Sequence, residues 1–471
     1  MLLVYFAILH NITKPISKRG RAWLNFFKEI IKLAWNLLSK TCANLINFLR
    51  DFLYSEEFLE QSRQKPTAFS RNRKLTFPAL VLFLCNFLKS SYQPELNKFF
   101  KAVSQSPLAV NVISKAALCK ARKKLKYQAF TLLNDKAVGH FSQNFEPRTW
   151  HGFFLKVIDG STVKLPNCPD IVNHFGTCNT SAGEPYPLAR ISQLFDPLNQ
   201  ITHHALIGPQ SVGEREMATR HFDYLTDRDL LLVDRGYPAF WFLKLILSRG
   251  AHFCARVTLK KWDVIDKFVQ SGKLDQLVTL EIPTASKATC KDHQLDMLPM
   301  QLRLVRIELD TGETEVLVTS LLDSEKYPHA LFAELYHDRW PVEEDYKVVK
   351  CRIEIGNFTG KSALSVYQDF HARIFAKNLT SMLSFVAQNT VEQKTDHRKR
   401  RYKVNITQAL STMKDAFILL FLKTGQGLQL FISELLAIFA SASEPVRPGR
   451  KYPRNKKRTQ CKYSFGYKPL C

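Results

Sequence analysis

The chain has 471 residues, of which 45% are hydrophobic and 23% charged, so its composition excludes wholesale disorder, and its length allows two or three domains. Lys and Arg number 67 against 42 Asp and Glu, which gives a formal net charge of +25. A surplus of that size predicts a polyanionic partner, of which nucleic acid is the commonest.

An anionic membrane surface is the alternative partner for so basic a chain. The apolar stretches Phe77 to Leu88 and Ala416 to Leu422 are shorter than the ~20 apolar residues that a membrane-spanning helix needs, and we interpret both as core helices. The apolar start, Met1 to His10, lacks a preceding basic residue and a cleavage-like site, so we expect no secretory signal. Ten cysteines are scattered without a C-x-x-C pair, which predicts reduced thiols. We therefore expect a cytoplasmic protein with no membrane partner.

Residues 1–145 have a helical and basic pattern. Apolar side chains from Trp23 to Ile31 recur at steps of three and four, as in an amphipathic helix. Further helices are predicted from Phe77 to Leu88, from Pro94 to Val103, and from Ser114, a good N-cap, to Lys126. The last carries six basic residues, Lys115, Lys120, Arg122, Lys123, Lys124 and Lys126. Short helices that end in a strongly basic one are typical of a helix-turn-helix-like unit, here for binding DNA ends, and a solvated basic face is the open alternative.

The pattern changes to alternating strands and helices at residue 153. Strands are predicted for Phe153 to Ile158, Leu188 to Phe195, Ile201 to Ile207, Leu230 to Val233 and His252 to Val257. Helices are predicted for Glu214 to Leu225 and Ala239 to Ser248, the latter started by Pro238 at its first position. The order of three strands, helix, strand, helix, strand predicts an α/β fold with a mixed sheet and flanking helices.

Residues 258–325 interrupt that order with a β-rich insertion. Its predicted antiparallel strands are Thr279 to Ile282, Gln301 to Leu309 and Glu315 to Leu321. Helices return from Pro328 to about Gln388, so we place the α/β domain at residues 146–390. The C-terminal region, 391–471, combines an apolar helical stretch, Ile406 to Ala440, with a basic tail, Pro445 to Cys471, that we expect to be flexible and attracted to phosphate.

Two aspartates follow predicted strands of the sheet. Asp159 lies in Val-Ile-Asp-Gly-Ser and Asp234 in Leu-Leu-Val-Asp-Arg-Gly, each directly after a buried strand. In open α/β sheets this edge is where sites assemble. One such aspartate alone could be a turn former, but two in one sheet predict a pair of carboxylates that can hold a metal ion.

A third acidic residue lies in the segment YHDRWPVEEDYKVVK, residues 336–350. Its residues Tyr336, Arg339, Glu343 and Lys350 are spaced by three, four and seven, so they fall on one stripe of a helix. Because Pro341 breaks a helix interior, we predict one helix ending near Trp340 and a second starting at Pro341, with Glu343 early in the second. An exposed charged face is the alternative on spacing alone.

The spacing Tyr-x2-Arg-x3-Glu-x6-Lys resembles the signature of the IS4-type transposases. Asp159 in Ile-Asp-Gly-Ser and Asp234 in Asp-Arg-Gly-Tyr resemble the first and second aspartates of that family, and Arg303 to Leu322 resembles its strand-rich insertion. The resemblance covers roughly residues 110–385. It implies an RNase H-like core in which Asp159, Asp234 and Glu343 are catalytic and bind two Mg²⁺ (or Mn²⁺) ions. It also implies a DNA transposase that cleaves transposon ends and joins the freed 3′ ends to target DNA.

The same resemblance implies that three residues hold DNA near the scissile phosphate: Tyr336, Arg339 and Lys350. Trp340 is a candidate for stacking on a displaced base, although a core tryptophan at a helix junction is the favoured alternative. Trp262 is a weaker candidate for the same role. Arg235 has two open interpretations, a contact with phosphate or a brace for Asp234.

The expected partners are double-stranded DNA, as transposon ends and target, and a second copy of the chain, because two ends must be cut together. We expect this to take place in the bacterial cytoplasm, with the protein on nucleoid DNA. No phosphate-cradling glycine loop is present, so no nucleotide cofactor is expected, and no histidine is placed to activate Ser161 as a nucleophile. The remaining alternatives are a related nuclease without strand transfer and a DNA-binding protein that has lost catalysis.

Overall fold

The computed structural model describes residues 38–109, 111–180, 183–308 and 312–447. The amphipathic helix predicted around Trp23, the apolar start of the chain and all of the basic tail after Arg447 lie outside these residues. The chain divides into two compact units, Pro147–Lys350 and Met1–Glu146 together with Cys351–Cys471. Among the helices of the described residues, none combines the length and the apolar character needed to cross a membrane.

The unit Pro147–Lys350 contains a mixed sheet with nine strands in its described residues. They are β1 Phe154–Lys164, β2 Thr177–Thr180, β3 Gly183–Asp196, β4 Ile201–Pro209, β5 Asp229–Val233, β6 His252–Val257, β7 Asp275–Leu280, β8 Met300–Glu308 and β9 Thr314–Thr319. The order is β2-β3-β1-β5-β6-β9-β8-β7, with β4 also paired to β3. Strands β1, β3 and β4 are antiparallel neighbours, whereas β5 and β6 run parallel to β1. This arrangement confirms the predicted mixed α/β, RNase H-like fold.

Strand β5 is the centre of this sheet. All five of its residues are buried, and it lies between β1 and β6, to both of which it is parallel. A parallel strand covered on both faces is expected to be a continuous apolar run, as Leu230 to Val233 is. The predicted buried strand is therefore confirmed, and it fixes where the residue after it, Asp234, must lie.

Strand β1 is longer than its apolar pattern predicts. The predicted strand ends at Ile158, but β1 continues to Lys164 because residues Val157 to Lys164 pair with β3. Its pairing with β5, in contrast, stops at Ile158. Asp159 therefore lies inside a strand, at the point where the neighbouring β5 has ended, and the prediction that the strand stops at Asp159 is wrong.

Seven α-helices are described in the same unit. They are Pro169–Phe175, Glu214–Thr219, Phe240–Ser248, Asp263–Gln270, Thr284–Asp292, Leu331–His337 and Pro341–Lys347. The helix predicted to reach Leu225 ends at Thr219 and is followed by a 3-10 turn, Phe222–Tyr224. Pro238 does not begin the next helix, because Ala239 is extended and serves as the N-cap, so the helix begins at Phe240.

The predicted β-rich insertion contains β7, β8 and β9 together with two of these helices. Strand β9 pairs antiparallel with β6, so the inserted strands extend the central sheet. Strand β7 begins at Asp275, earlier than the apolar pattern predicts. The reason is polar: the fully buried guanidinium of Arg303, on β8, forms an ion pair with Asp275 and anchors that end of the strand.

The second unit is helical in its described residues. Its helices are residues 38–53, Glu56–Ser62, Phe77–Cys85, Tyr92–Val103, Lys115–Arg122, Gln128–Asn144, Ala363–Thr395, Ile406–Leu422 and Gly425–Ser441, and a short ladder joins β10 Tyr402–Val404 to β11 Ser443–Pro445. The helix Ala363–Thr395 is buried on most of its circumference, so it lacks a polar face. The single apolar stretch predicted from Ile406 to Ala440 is two helices, because Lys423 and Thr424 are extended.

The basic helix predicted from Ser114 to Lys126 is shorter and less exposed than its sequence indicates. It spans Lys115–Arg122, with the Ser114 side chain accepting a hydrogen bond from the Ala117 N–H, so the predicted N-cap is confirmed. Arg122 is buried and forms an ion pair with Asp369. One of the six basic residues therefore stabilises the interior of the unit and is not part of an exposed basic face.

Candidate active site

Asp159 and Asp234 lie side by side at one edge of the sheet. In the parallel pairing of β1 with β5, the last partners are Ile158 and Val233. Each aspartate is the next residue along its strand, so the two carboxylates start from adjacent Cα positions. The antiparallel pairing of Asp159 with Gln193 of β3 holds the first of them in a rigid strand beyond that point.

The backbone around Asp159 is fixed by hydrogen bonds. Its Oδ1 accepts a hydrogen bond of 2.9 Å from the Gly160 N–H. Its carbonyl oxygen accepts one of 2.6 Å from the phenol of Tyr346, which is buried. Sequence reasoning missed Tyr346, although it follows Glu343 by three residues on the same helix and therefore lies on a neighbouring face. Tyr346 connects the helix of Glu343 directly to the strand of Asp159.

The carboxyl of Asp159 is electrostatically coupled to the other acidic residues. Burial raises its pKa from 3.8 to about 6. The Gly160 N–H and the charge of Arg339 oppose that rise, whereas the charges of Glu343 and Asp234 add to it. Because the charges of Asp234 and Glu343 act on the carboxyl of Asp159, we refer to Asp159, Asp234 and Glu343 as the acidic cluster.

Asp234 is contacted by Tyr336. The Tyr336 hydroxyl donates to the Val233 carbonyl and to Asp234 Oδ1, both at 3.5 Å. Burial raises the pKa of Tyr336, so it remains a neutral phenol and a hydrogen-bond donor at physiological pH. Arg235 is exposed and forms no ion pair with Asp234, so the brace that the sequence left open is not present among the described contacts.

Glu343 lies at the start of a short helix, as its sequence predicts. One helix ends at His337, and the next begins with Pro341 in its first turn. Glu343 Oε1 accepts a hydrogen bond of 2.9 Å from Arg339 Nη2, and the two form an ion pair across the helix break. The Nε–H of Arg339 is buried without a partner in the described residues. Arg339 thus has a hydrogen-bonding group left over after it has neutralised Glu343.

Lys350 does not continue a regular α-helix. The spacing from Glu343 predicts that Lys350 lies two α-helical turns below it, but the residues Val348–Arg352 form a π-helical turn, which rotates each residue by a smaller angle, so that position is wrong. The Lys350 ammonium instead donates a hydrogen bond to the Ser161 hydroxyl. That contact brings its charge to β1, two residues beyond Asp159.

The two tryptophans have opposite environments. Trp340 is 44% exposed, and the Lys347 ammonium lies 6.0 Å from the centre of its ring. The favoured prediction of a core tryptophan at the helix junction is therefore wrong. Trp262 packs partly buried against the core beside β5 and β6, where it precedes the helix Asp263–Gln270. Only Trp340 has a ring face available to a ligand.

The chemistry of the acidic cluster suits a divalent metal ion. Carboxylate oxygens are the ligands that hard cations such as Mg²⁺ prefer, and Asp159, Asp234 and Glu343 supply three of them. In the described residues, however, no group of three or more His, Cys, Asp or Glu is close enough to hold a metal ion. The carboxylate of Glu343 is instead paired with the Arg339 guanidinium.

Comparison with known proteins relates part of this chain to a transposase family. The family model described as the transposase DDE domain matches residues 155–379. The transposase InsG for insertion sequence element IS4, from Escherichia coli (strain K12), is 23% identical over 352 residues, which cover 74% of this chain and 78% of the relative. The putative transposase InsZ of the same organism is 24% identical over 150 residues, or 31% of this chain and 49% of the relative. A synaptic complex of the piggyBac transposase with hairpin DNA aligns with 92% of this chain and 90% of that chain, at 11% identity and a TM-score of 0.39.

The raised pKa of Asp159 predicts a stability that depends on pH. Because the folded chain holds this proton more tightly, the stabilising contribution of the group is fully present below about pH 4 and is lost as the pH rises through about 6. In EDTA at pH 7.5, the free energy of unfolding of Asp159→Asn should therefore exceed that of the wild type by up to about 3 kcal/mol, as measured by urea unfolding. Near pH 4 the two free energies of unfolding should converge. The exposed Asp292→Asn is the control and should follow the wild type at both pH values. Equal free energies of unfolding for Asp159→Asn and the wild type at pH 7.5 would contradict the raised pKa of Asp159.

Proposed function

Because the chain belongs to the IS4-type DDE transposases, we propose that it cleaves DNA at transposon ends and joins the freed 3′ ends to target DNA through Asp159, Asp234 and Glu343. The chain is a DNA transposase, DNA is its partner, and enzymes of this family depend on divalent metal ions. One observation carries the assignment of residues. Asp159 and Asp234 follow paired residues of neighbouring parallel strands, and the charge of Glu343 acts on Asp159.

We propose that the three carboxylates hold two Mg²⁺ or Mn²⁺ ions. The raised pKa of Asp159 supports this: burial is its main cause and the charges of Glu343 and Asp234 add to it, and bound cations would stabilise the ionised carboxylates. When bound, the ions supply activation of the attacking hydroxyl and stabilisation of the leaving oxygen in an in-line displacement at phosphorus. The contribution of the protein is to hold the carboxylates in place, for which Tyr346 and Gly160 fix Asp159.

Arg339 is proposed to exchange Glu343 for a DNA phosphate. Its planar guanidinium can meet phosphate in a bidentate way, and its Nε–H has no partner in the described residues. A phosphate that takes over this guanidinium would release the carboxylate of Glu343. DNA binding and completion of the acidic cluster would then be a single event, so that the site is assembled on its substrate.

Tyr336 and Lys350 are proposed to hold the DNA backbone beside the acidic cluster. The Tyr336 phenol remains protonated and touches Asp234, so it can donate to a phosphate oxygen there. The Lys350 ammonium donates a hydrogen bond to the Ser161 hydroxyl and so supplies a compact positive charge at β1, the strand of Asp159. Arg235 is proposed to contact phosphate, since it is exposed and forms no ion pair with a described residue.

Trp340 is proposed to stack on a base that is displaced near the cleavage point. The supporting observation is its 44% exposure beside Arg339, at the break between two helices. Stacking on an aromatic ring is worth about 1–3 kcal/mol per base, enough to hold an unpaired base out of the duplex.

We further propose that the protein acts as a homodimer on paired ends, within the bacterial cytoplasm where nucleoid DNA is available.

Replacement of Glu343 tests the carboxylate chemistry. The measurement is cleavage of a labelled duplex that carries the element's own end, in Mg²⁺ or in EDTA. Glu343→Gln should lower the cleavage rate by roughly 10²–10³-fold or more, because loss of a metal ligand removes several kcal/mol of stabilisation from the transition state. The neighbouring Glu344→Gln is the matched control, since Glu344 is exposed and pairs only with Lys347, and it should cleave like the wild type.

The outcomes of that experiment separate the alternatives. Cleavage that persists in EDTA or in Glu343→Gln would mean that the active site has been misassigned. Specific DNA binding without cleavage by the wild type would favour a DNA-binding protein that has lost catalysis. Cleavage without recovery of joined products would indicate a nuclease that lacks strand transfer.

A mixing experiment tests the homodimer. If each copy cuts one of two paired ends, an equal mixture of wild type and Glu343→Gln should cut both ends in about a quarter of the complexes. If a single copy performs both cleavages, about half of the complexes should be cut at both ends. The measurement is the yield of doubly cleaved DNA against the wild-type fraction, and a linear dependence would reject the dimer.

Substitution of Trp340 tests the stacking role. A duplex with 2-aminopurine beside the cleavage site should show quenched fluorescence with the wild type and with Trp340→Phe, but not with Trp340→Ala, because only an aromatic ring stacks. Trp340→Ala should melt within a degree or two of the wild type, since its ring is exposed. Trp262→Ala is the control with the opposite expected result. It should lower the melting temperature, because Trp262 packs on the core, but it should retain the quenching of 2-aminopurine fluorescence. Quenching retained by Trp340→Ala would exclude this role.

A further inference from the structure

A groove in the unit without the acidic cluster carries a concentration of positive charge. It encloses roughly 1130 Å³ between residues 53–78 and residues 113–124. Five of its lining residues are basic, and we name it the basic groove after them: Arg71, Arg73, Lys74, Lys120 and Lys124. The acidic residue among its lining is Glu56. All five basic residues are exposed to solvent.

These five side chains have no acidic partner in the described part of the chain, unlike Arg63 and Arg122 nearby. Arg63 pairs with Glu60, and Arg122 pairs with Asp369. The basic groove residues form no ion pair in the described part of the chain, and the lining sets the single carboxylate of Glu56 against their five positive charges. A concave surface of one charge sign also focuses the electric field and raises the local concentration of counter-ions. Both effects favour a polyanionic ligand in the groove.

The walls of the groove are held together by backbone contacts. Arg63 and Leu125 form an isolated antiparallel bridge. On either side of it, the Gln64 N–H donates to the Lys124 carbonyl at 2.9 Å, and the Lys126 N–H donates to the Ser62 carbonyl at 2.7 Å. Leu125 itself is fully buried. The backbones of the two walls are therefore joined to each other where the second wall ends, at Lys124.

The same contacts limit what the helix Lys115–Arg122 can do. Leu118 and Arg122 are buried, and Arg122 is committed to Asp369, so one side of the helix packs into the unit. Its exposed Lys120 lines the groove. To read base edges, a helix must stand out from the surface and enter the major groove. Lysines that line a concave surface instead contact phosphates, which carry no sequence information.

We propose that the basic groove binds the phosphate backbone of DNA irrespective of its sequence, as a second DNA contact apart from the acidic cluster. The proposal rests on the proposed function, because it takes DNA as the substrate. It also revises the expectation for this basic helix: the helix through Lys120, and Lys124 just after its end, contact the DNA backbone and do not read the sequence of the ends. Other elements must then supply recognition of the end sequence.

Two triple variants of the full chain test the proposal. The groove variant is Lys74→Gln, Lys120→Gln and Lys124→Gln. The control variant is Lys101→Gln, Lys361→Gln and Lys394→Gln, which removes the same charge from exposed lysines of the same unit that do not line the groove. Binding is measured by fluorescence anisotropy in EDTA, so that no cleavage occurs, on the element's own end and on a scrambled duplex, at several salt concentrations.

The groove variant should bind both duplexes at least about tenfold more weakly, and the slope of log K against log salt should fall by about 2–3, since each lost phosphate contact contributes about 0.9. The control variant should change affinity by less than about threefold and keep the wild-type slope. Replacement of the three groove lysines by arginine should retain binding, because the charge is kept. Equal losses in the groove and control variants, or a loss confined to the element's own end, would overturn the proposal.

Two further probes decide the kind of polyanion. Duplex RNA of equal length, or vesicles with anionic lipid, would replace DNA as the ligand if either one bound more tightly and lost more affinity in the groove variant. The result is also separable from the catalytic assignment. Wild-type cleavage with unchanged binding by the groove variant would refute the groove alone, whereas binding through the groove without Mg²⁺-dependent cleavage would refute the catalytic assignment alone.

Discussion

The parallel pairing of β1 with β5 is the constraint on which the acidic cluster depends. It ends at Ile158 and Val233, and the next residue of each strand is an aspartate. Because β1 continues along β3 after β5 has stopped, Asp159 is held in a rigid strand while its side chain lies at an open edge. That combination gives a half-buried carboxylate a fixed position at the edge of the sheet where sites assemble.

Bringing three carboxylates together has an electrostatic cost, and the structure offsets it with cations that are also suited to phosphate. Arg339 neutralises Glu343, and the Lys350 ammonium lies on Ser161, beside Asp159. Tyr336 and Tyr346 are buried phenols that donate hydrogen bonds to the carbonyl oxygens of Val233 and Asp159, respectively. Burial, with a smaller contribution from the charges of Glu343 and Asp234, raises the pKa of Asp159. In a transposase, cations that enter the site would stabilise its ionised carboxylates.

The net charge of +25 is distributed among different tasks. Some basic residues are structural: Arg122 with Asp369 and Arg303 with Asp275 are buried ion pairs that hold elements together. Others have no acidic partner, as in the basic groove. A count of Lys and Arg predicts the polyanionic partner but treats the two kinds alike. Only the first kind is protected from salt, because buried pairs are screened far less than exposed charges.

The sequence by itself determined the buried strand at Leu230 to Val233, the mixed α/β class, the helix break at Pro341 and the family, because short-range apolar patterns, proline and motif spacing are local properties. Tertiary structure decided the rest. The end of β1 was missed because its pairing with β3 is a long-range contact, and Trp340 was predicted to be buried because exposure depends on what packs around a helix junction. The contact of Tyr346 with Asp159 and the burial of Arg122 beside Asp369 could not be predicted for the same reason. The partner of each side chain lies far away in the sequence, and only the folded chain brings the two together.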